Sequence, residues 1–455
     1  MLQRVASRGR GAGRSCSRLA AGTTLVLASL VTKSTFAGNL DSYYLSGDAA
    51  LQGGAITADS RGGAAAWYNP AGLAELPGLR LDVSVNAFAI RFGGHPNLES
   101  AASEAKVTSL NVIDFNVVPT SLTLSRRFGK LGLGVGVFVP VQSSTFLRTQ
   151  VESSATASAL GTSAALDIYE RSQQYAAGAS FGLALSPVVD FGASLFVNYR
   201  TELDIAGVEF STLAADSAGS GTSLHETFDR QQVGVQPVLG VQLHPRGYNV
   251  GLTLRFPALQ LYDVTQSVDI VSSGDGPPQS SFDDRAGVSK AVVSPLRFHA
   301  AISRDLGASR LALEASYQSP LRNEDIDWQP TLNARLGGLH RLSPRLAIGG
   351  GIHTDRSPIR HLSGFGDSRI DYYGVTFALD WGTHFDVVAR EAEPLPAHSQ
   401  FRFGSTFAVT YALGLGEVVN GRFGIDSTGQ ARLDQPRQSV AVHELIFSVC
   451  SSLTE

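Results

Sequence analysis

The chain has few of the residues on which chemistry at a protein site usually depends. Among 455 residues there are two cysteines, ten histidines and one methionine, and only 17% of the residues are charged. Two cysteines cannot form a cysteine cage around a metal ion, and the histidines are scattered, without a His-Glu-x-x-His pair. No Ser-His-acid arrangement can be assembled from the sequence. We therefore expect no metal site, no cofactor and no enzymatic activity.

The chain also lacks an apolar run long enough to cross a membrane as a helix. Its mean hydropathy is +0.04, and the apolar stretch at 19–31 is too short to span a bilayer. These averages resemble those of a soluble protein. A membrane β-barrel has the same averages, because residues that face lipid alternate with residues that face the lumen. Composition alone therefore does not separate the two classes.

The first 37 residues have the layout of a secretory signal peptide. Residues 1–37 contain five arginines, one lysine and no acidic residue, and the apolar stretch is followed by Thr35, Phe36 and Ala37. The small residues at 35 and 37 predict cleavage after Ala37. Without residues 1–37 the chain keeps 30 basic and 40 acidic residues. This negative balance speaks against a nucleic acid as partner.

Long stretches of the chain alternate with a period of two residues. From Tyr175 to Leu185 the odd positions are apolar or aromatic, and the even positions are Ala, Gly or Ser. The pattern returns at 189–200, 232–243 and 401–415. Period two is typical of β-strands, and strands of about ten residues match a tilted membrane crossing. Soluble antiparallel sandwiches also alternate, but their strands are usually shorter.

Read in this way, the sequence predicts about fourteen strands. The predicted spans are 79–92, 119–128, 130–141, 169–186, 188–203, 229–244, 247–263, 290–305, 309–319, 330–342, 345–354, 369–382, 399–417 and 437–450. Tight turns alternate with long polar segments, which we expect to be loops, at 151–166, 204–228 and 264–289. Short turns on one rim and long loops on the other are typical of outer-membrane barrels. We predict an all-β protein, a transmembrane antiparallel β-barrel in the cell outer membrane.

A stretch rich in glycine and alanine, at 62–74, precedes the first predicted strand. Small residues let the backbone lie close to surrounding walls, and Pro70 fixes φ and lacks an N–H group. Such a segment can neither continue a helix nor lie centrally in a sheet. We interpret it as a plug within the lumen, with an ordinary glycine-rich loop as the alternative. The predicted divisions are 1–37 signal peptide, 38–78 hatch and 79–455 barrel.

This stretch resembles the N-terminal hatch of the FadL-type outer-membrane transport proteins, channels for long-chain fatty acids and aromatic hydrocarbons. Asn69, Pro70 and Ala71 match the hatch motif, and Gly72 and Leu73 extend it. The resemblance implies a fourteen-stranded barrel and passive uptake of a hydrophobic ligand that is captured at the outer face. It also implies a hatch that moves to open a passage, in some members sideways toward the membrane. We expect a monomer surrounded by outer-membrane lipids.

The inward positions of the predicted strands suggest residues that would contact such a ligand. The candidates are Phe88, Phe138, Phe196, Arg200 and Arg402. An apolar lining with occasional cations suits an amphiphile with a carboxylate, because each buried methylene contributes about 0.8 kcal/mol and an arginine pairs with the head group. Lumen arginines can instead pair with lumen acids, such as Asp82, Asp190 and Glu314.

Two other functions fit a membrane barrel, and one feature departs from the resemblance. The first alternative is a general porin or structural protein without a specific ligand. The second is a barrel-embedded hydrolase, because the run at 366–368 resembles the start of an esterase motif. Outer-membrane barrels usually end on an aromatic residue, and the nearest one here is Phe447. Either Phe447 closes the last strand and a short tail follows, or the terminus is atypical.

Overall fold

Fourteen antiparallel strands close into a barrel. The computed structural model describes residues 44–93, 98–100, 106–111, 118–153, 161–214, 217–273, 278–287, 292–323, 327–362, 364, 366–388, 398–425 and 431–455. The barrel strands are β1 Leu79–Phe92, β2 Val118–Phe128, β3 Leu131–Ser153, β4 Gly161–Ser186, β5 Val189–Ala214, β6 Ser217–Leu243, β7 Asn249–Arg255, β8 Arg297–Leu306, β9 Ser309–Gln318, β10 Thr331–Ser343, β11 Leu346–Asp355, β12 Ser368–Val388, β13 His398–Val419 and β14 Arg437–Thr454. The predicted signal peptide 1–37 lies outside the described residues.

The barrel is closed by pairing between its first and last strands. Each strand pairs with the next in the sequence, and β1 pairs with both β2 and β14. Leu81, for example, stands opposite Leu124 on one side and Leu453 on the other. A closed ladder leaves no strand edge to be satisfied in the lipid. The prediction of an all-β barrel with about fourteen strands is therefore confirmed.

The two faces of each strand differ in the way the alternation predicts. On β9, Leu313 is 52% exposed on the outside, whereas the neighbouring Glu314 is 1% exposed. Large apolar side chains are exposed on other strands as well, among them Leu122, Leu195 and Phe407. An apolar outer surface over a polar or small inner surface is what a barrel in lipid requires.

The strand bounds differ from prediction mainly in the polar segments. The predicted strand 247–263 is interrupted at 256–258, where Phe256 N donates to Pro237 O (3.0 Å). Much of the predicted loops 204–228 and 264–289 is paired as strand. Polar segments beyond the bilayer can pair without an apolar face, so alternation does not reveal them. The further strands are Leu98–Ser100, Lys106–Asn111, Leu259–Ser273, Gln279–Gly287, Leu321–Arg322, Asp327–Trp328, Gly421–Ile425 and Ala431–Asp434.

The last strand continues past Phe447. That residue stands opposite Phe88 of β1 and Val409 of β13, well inside the ladder. The pairing runs on until Thr454 stands opposite Arg80, and Glu455 N donates to Leu79 O (2.9 Å). Of the two alternatives for the terminus, closure of the strand at Phe447 does not hold, because pairing with both neighbouring strands continues beyond it.

Residues 44–76, which we call the N-terminal segment, form three short helices. They are α1 Gly47–Leu51, α2 Ala65–Tyr68 and a 3₁₀-helix Pro70–Glu75. Ser46 caps α1 by accepting the N–H of Ala49 through its Oγ (3.1 Å). Pro70 opens the 3₁₀-helix, where its missing N–H costs nothing. Within the described residues, no helix has both the length and the apolar character needed to cross a membrane.

Candidate hatch and lumen site

The N-terminal segment lies against inward-facing side chains of the barrel. Ser121 Oγ donates to Leu45 O (2.7 Å), and Ser194 Oγ donates to Ala66 O (2.7 Å). All four residues are buried. A buried carbonyl without a partner is costly, and these hydroxyls supply each of the two carbonyls with a donor. The short inward polar residues of the wall are thus hydrogen-bond partners of the N-terminal segment.

Glycines on the inner face leave room for the backbone of the N-terminal segment. A β-carbon added at Gly132 would overlap the carbonyl of Leu73, and one added at Gly192 would overlap the backbone of Pro70. Further glycines whose β-carbon would meet the segment within van der Waals contact are Gly182, Gly240, Gly251, Gly337 and Gly349. The inner wall and the segment therefore fit each other at backbone distance.

The predicted hatch corner at Asn69 is fully buried. Its Nδ2 donates to Thr57 O (2.9 Å) and to Val241 O of β6 (3.0 Å), and its Oδ1 accepts from Ala71 N (3.2 Å). One side chain thus caps the 3₁₀-helix, joins two parts of the segment and ties both to the wall. Pro70, Ala71, Gly72 and Leu73 are buried beside it. A β-carbon at Gly72 would overlap Ser60 O.

Glu314 of β9 accepts hydrogen bonds from the backbone in the middle of the N-terminal segment. Its Oε2 accepts from Ile56 N (3.1 Å) and Thr57 N (3.0 Å). Its Oε1 lies 3.1 Å from His299 Nδ1 and 3.3 Å from Arg335 Nη1. A buried carboxylate needs such partners, because burial otherwise penalises its charge. Glu314 was predicted as a lumen acid, and it binds the segment, a wall histidine and a wall arginine at once.

Asp82 and Arg80 of β1 make a second charged attachment. Asp82 Oδ2 accepts from Gly63 N (2.9 Å), and Arg80 lies between Asp82 (2.8 Å) and Asp48 of the segment (3.0 Å). Arg310 of the wall also pairs with Asp59. Charge-assisted bonds of this kind are stronger than neutral ones. The predicted lumen acids thus serve the contact between wall and segment.

Phe138 and Phe196 form an aromatic cluster with Trp67 of the segment. Their ring centroids lie 5.3 and 5.4 Å from that of Trp67, and 5.7 Å from each other. The Arg255 guanidinium lies 3.8 Å from the centre of the Trp67 ring, and Arg255 Nη2 donates to Trp67 O (2.7 Å). Both phenylalanines are 0% exposed. Trp67 therefore covers two of the predicted ligand contacts.

The two predicted arginines lie apart from this cluster. The side chain of Phe88 lies outside the described residues. Arg200 is paired with Glu202 on its own strand. Arg402 stands opposite Thr454 at the end of β14, 3.6 Å from Asp380. The structure therefore brings together Phe138 and Phe196, but not the two arginines.

Sequence reasoning missed Trp67 and Arg255. Trp67 is a large aromatic residue within a stretch of glycine and alanine, and this contrast was the available signal. Arg255 gave no signal, because its place beside Trp67 depends on where the segment lies in the barrel.

One rim of the barrel consists of short turns, and we call it the turn rim. Its turns lie at 129–130, 187–188, 307–308 and 344–345. A cavity of about 560 Å³ lies near it, between the N-terminal segment and the wall. Five arginines line it, namely Arg61, Arg80, Arg310, Arg341 and Arg402. Acidic residues such as Asp48 and Asp380 accompany them. The lining also includes apolar residues such as Leu339 and Leu346, so the cavity is partly charged and partly apolar.

The wall is irregular next to the aromatic cluster. On β3, Phe138 pairs with Ala176 and the next pair is Val141 with Gln174, so two residues of β3 face one residue of β4. One of the two is Pro140, which has no N–H to donate. On the other side, the described pairing of β3 with β2 ends at Phe138. A bulge with proline interrupts the ladder at this point.

Comparison with known proteins identifies the fold. No family model matches the sequence, and no curated protein matches it. Solved structures do match. A protein described as the CymD monoaromatic hydrocarbon channel is 13% identical, with 90% of this chain and 97% of that chain covered and a TM-score of 0.57.

Two further structures agree with this match. A Pseudomonas aeruginosa FadL homologue is 11% identical, with 93% and 98% covered and a TM-score of 0.54. The P. putida toluene transporter TodX is 13% identical, with 91% and 99% covered and a TM-score of 0.52. None of the three is described as an enzyme. Identities this low establish the fold alone, and this chain has the fold that these channels share.

Proposed function

We propose that the chain is an outer-membrane channel for the passive passage of hydrophobic compounds, with residues 38–78 as its hatch. The observation that carries this proposal is the cover that Trp67 places over the buried phenyl rings of Phe138 and Phe196. The barrel acts as a monomer surrounded by outer-membrane lipids, with its turn rim in the periplasm. Its substrates are long-chain fatty acids, related lipids or aromatic hydrocarbons.

The aromatic cluster supports a gate that a hydrophobic ligand opens. Movement of Trp67 away from Phe138 and Phe196 exposes apolar surface, at a cost of about 25 cal/mol for each Å². An apolar ligand that occupies the same place removes this cost. It binds the open state better than the closed state, and it therefore shifts the population toward the open state. A polar solute gives no such compensation.

We propose two exits for a compound that leaves the cluster. The first is sideways into the membrane at Val139 and Pro140, where a bulge interrupts the ladder. The second is toward the turn rim, where arginines line a cavity. A hydrocarbon gains from the first route, since it stays in an apolar medium. A carboxylate head group gains from the second, because arginines can pair with it.

The alternatives have less support from the described residues. A general porin needs an open, water-filled lumen, whereas the segment fills the inner face at backbone distance. A hydrolase would need an active serine near 366–368. There, Asp367 is buried and accepts from Gly364 N (3.0 Å), and Ser368 stands opposite Val418 in the ladder.

A reversible cross-link tests the proposal. Ser194 Oγ donates to Ala66 O, so the pair Ala66→Cys and Ser194→Cys joins the segment to β5 in a background with Cys450→Ser. We expect oxidation to block the uptake of labelled fatty acid or toluene by cells that carry the protein, and reduction to restore it. The single-cysteine variants are the controls and keep uptake under both conditions. Undiminished uptake by fully cross-linked protein would refute the gate.

A further inference from the structure

Three side chains from distant parts of the chain meet at the turn rim. Glu75 ends the 3₁₀-helix of the N-terminal segment, Asp190 lies near the start of β5, and His244 lies in the turn between β6 and β7. His244 Nε2 is 3.0 Å from Asp190 Oδ2 and 3.3 Å from Glu75 Oε1. One ligand atom from each residue lies within 4.8 Å of the other two. The spacing 75, 190 and 244 has no motif, so the sequence predicted no metal here.

We propose that Glu75, Asp190 and His244 bind a divalent transition-metal ion, with Zn²⁺ as the best fit. One imidazole nitrogen and two carboxylate oxygens make a common donor set for this ion, with a fourth position left for water. Ligand atoms at about 2.0–2.1 Å from a tetrahedral ion lie about 3.3–3.4 Å from one another. The two distances from His244 Nε2 are close to this value, so small side-chain shifts would admit the ion.

The surroundings orient His244 as a ligand. Its Nδ1 lies 3.0 Å from Asn249 Oδ1, and Asn249 Nδ2 donates to Ser303 Oγ (3.4 Å), which directs the amide oxygen toward the ring. With Nδ1 donating its proton to that oxygen, Nε2 can give up its own proton and present a lone pair to an ion between the carboxylates. Metal-bound histidines usually have a partner of this kind on the second nitrogen.

The carboxylates are also placed for a cation. Asp190 is buried, and Glu75 Oε2 lies 2.9 Å from Arg61 Nε, which leaves Oε1 directed at His244. Without metal, the Nε2 proton of His244 can bridge the two carboxylates, which otherwise repel each other. A divalent ion takes the place of that proton and supplies more positive charge. It would also join the end of the N-terminal segment to β5 and to the turn after β6.

The test uses the full-length protein in detergent, without a polyhistidine tag and stripped of metal by a chelator. Titration with ZnCl₂ in a calorimeter should show one equivalent bound. Co²⁺ at the same site should give the visible absorption of a four-coordinate ion. We expect His244→Gln to weaken Zn²⁺ binding at least tenfold. The glutamine amide can still donate to Asp190, so this change keeps the hydrogen bond and removes the ligand.

A matched control separates this site from adventitious binding by surface histidines. His443 is exposed on the outer wall beside Tyr411, and His443→Ala should leave the Zn²⁺ affinity unchanged. Zn²⁺ should raise the melting temperature of the wild type and of this control, but not that of His244→Gln. If His244→Gln does not fold, Asp190→Asn serves in its place. Absence of binding in the wild type, or equal affinity in both ligand variants and the wild type, would overturn the proposal.

Discussion

The outer and inner faces of the same strands place different requirements on their residues. On the outside, Leu311 and Leu313 of β9 are exposed, and no single partner fixes their side chains. On the inside, Glu314 of the same strand accepts hydrogen bonds from two particular backbone groups of the N-terminal segment. An outward residue must therefore be apolar, whereas an inward residue must suit one partner.

The two faces therefore differ in how strictly each position determines its amino acid. Lipid is a uniform surrounding, so many apolar residues serve equally well on the outer face. The backbone of the segment is not uniform, and Gly132 and Ser194 each suit one atom of it. The outer face should thus tolerate changes of size and respond to charge. The inner face should respond to size, to charge and to the loss of one hydrogen bond.

The largest effect should come from Glu314→Ala. The change removes the carboxylate that pairs with the buried Arg335 and contacts His299, and it removes the acceptor of Ile56 N and Thr57 N. Loss of one partner of a buried ion pair costs about 3–5 kcal/mol. We expect the free energy of unfolding, measured in urea with folded barrel in lipid, to fall by that amount.

The neighbouring outward residue gives the comparison for this prediction. Leu313→Ala shortens a side chain that faces lipid and leaves no polar group unpaired, so its effect should be clearly smaller. Equal losses for Leu313→Ala and Glu314→Ala would show that the inner face is no more specific than the outer one.

The second prediction concerns charge on the outer face. Leu239 of β6 is exposed between the buried Val238 and Gly240. Arginine at the bilayer midplane costs about 2–4 kcal/mol in a barrel wall, so Leu239→Arg should lower the free energy of unfolding by that amount. Leu239→Phe keeps the face apolar and should change it little. A large loss from both variants would mean that Leu239 packs against protein and not lipid.

The sequence predicted the wall well, because one physical rule governs it. Lipid outside and a lumen inside impose a period of two on every crossing, and this rule gave fourteen strands. The strand prediction failed in the segments that do not alternate. The polar segments at 204–228 and 264–289 lie beyond the alternating stretches, and their pairing as strands had no signal in the pattern.

The candidate site could be predicted only in part. Alternation put Phe138 and Phe196 on the inner face, and the structure places them side by side. Their contact with Trp67 depends on the depth of the segment, and no periodic pattern encodes that depth. Alternation also put Arg200 and Arg402 on the inner face, but it could not place them relative to these rings. Alternation predicts whether a side chain points inward or outward, but it does not predict the position of that side chain along the barrel axis.

The smallest effect should come from a size change on the inner face. The β-carbon of Gly132→Val would overlap the carbonyl of Leu73, so the segment must move away or the strand must shift. Overpacking of this kind costs about 1–3 kcal/mol. The ladder itself can stay closed, because the extra atoms point into the lumen. We therefore expect a folded, heat-modifiable barrel whose N-terminal segment leaves its place more often.

Limited proteolysis measures that displacement. Arg61 lies within the segment, so trypsin should cut there only when the segment moves out, and a cost of about 1–3 kcal/mol raises the cleavable population about 5–150-fold. Gly287→Val is the matched control, because a β-carbon at Gly287 has no atom within 4 Å. Its cleavage rate at Arg61 should equal that of the wild type. A rate unchanged in Gly132→Val as well would mean that the inner wall yields to the segment, and that the two faces of the barrel differ less than their contacts imply.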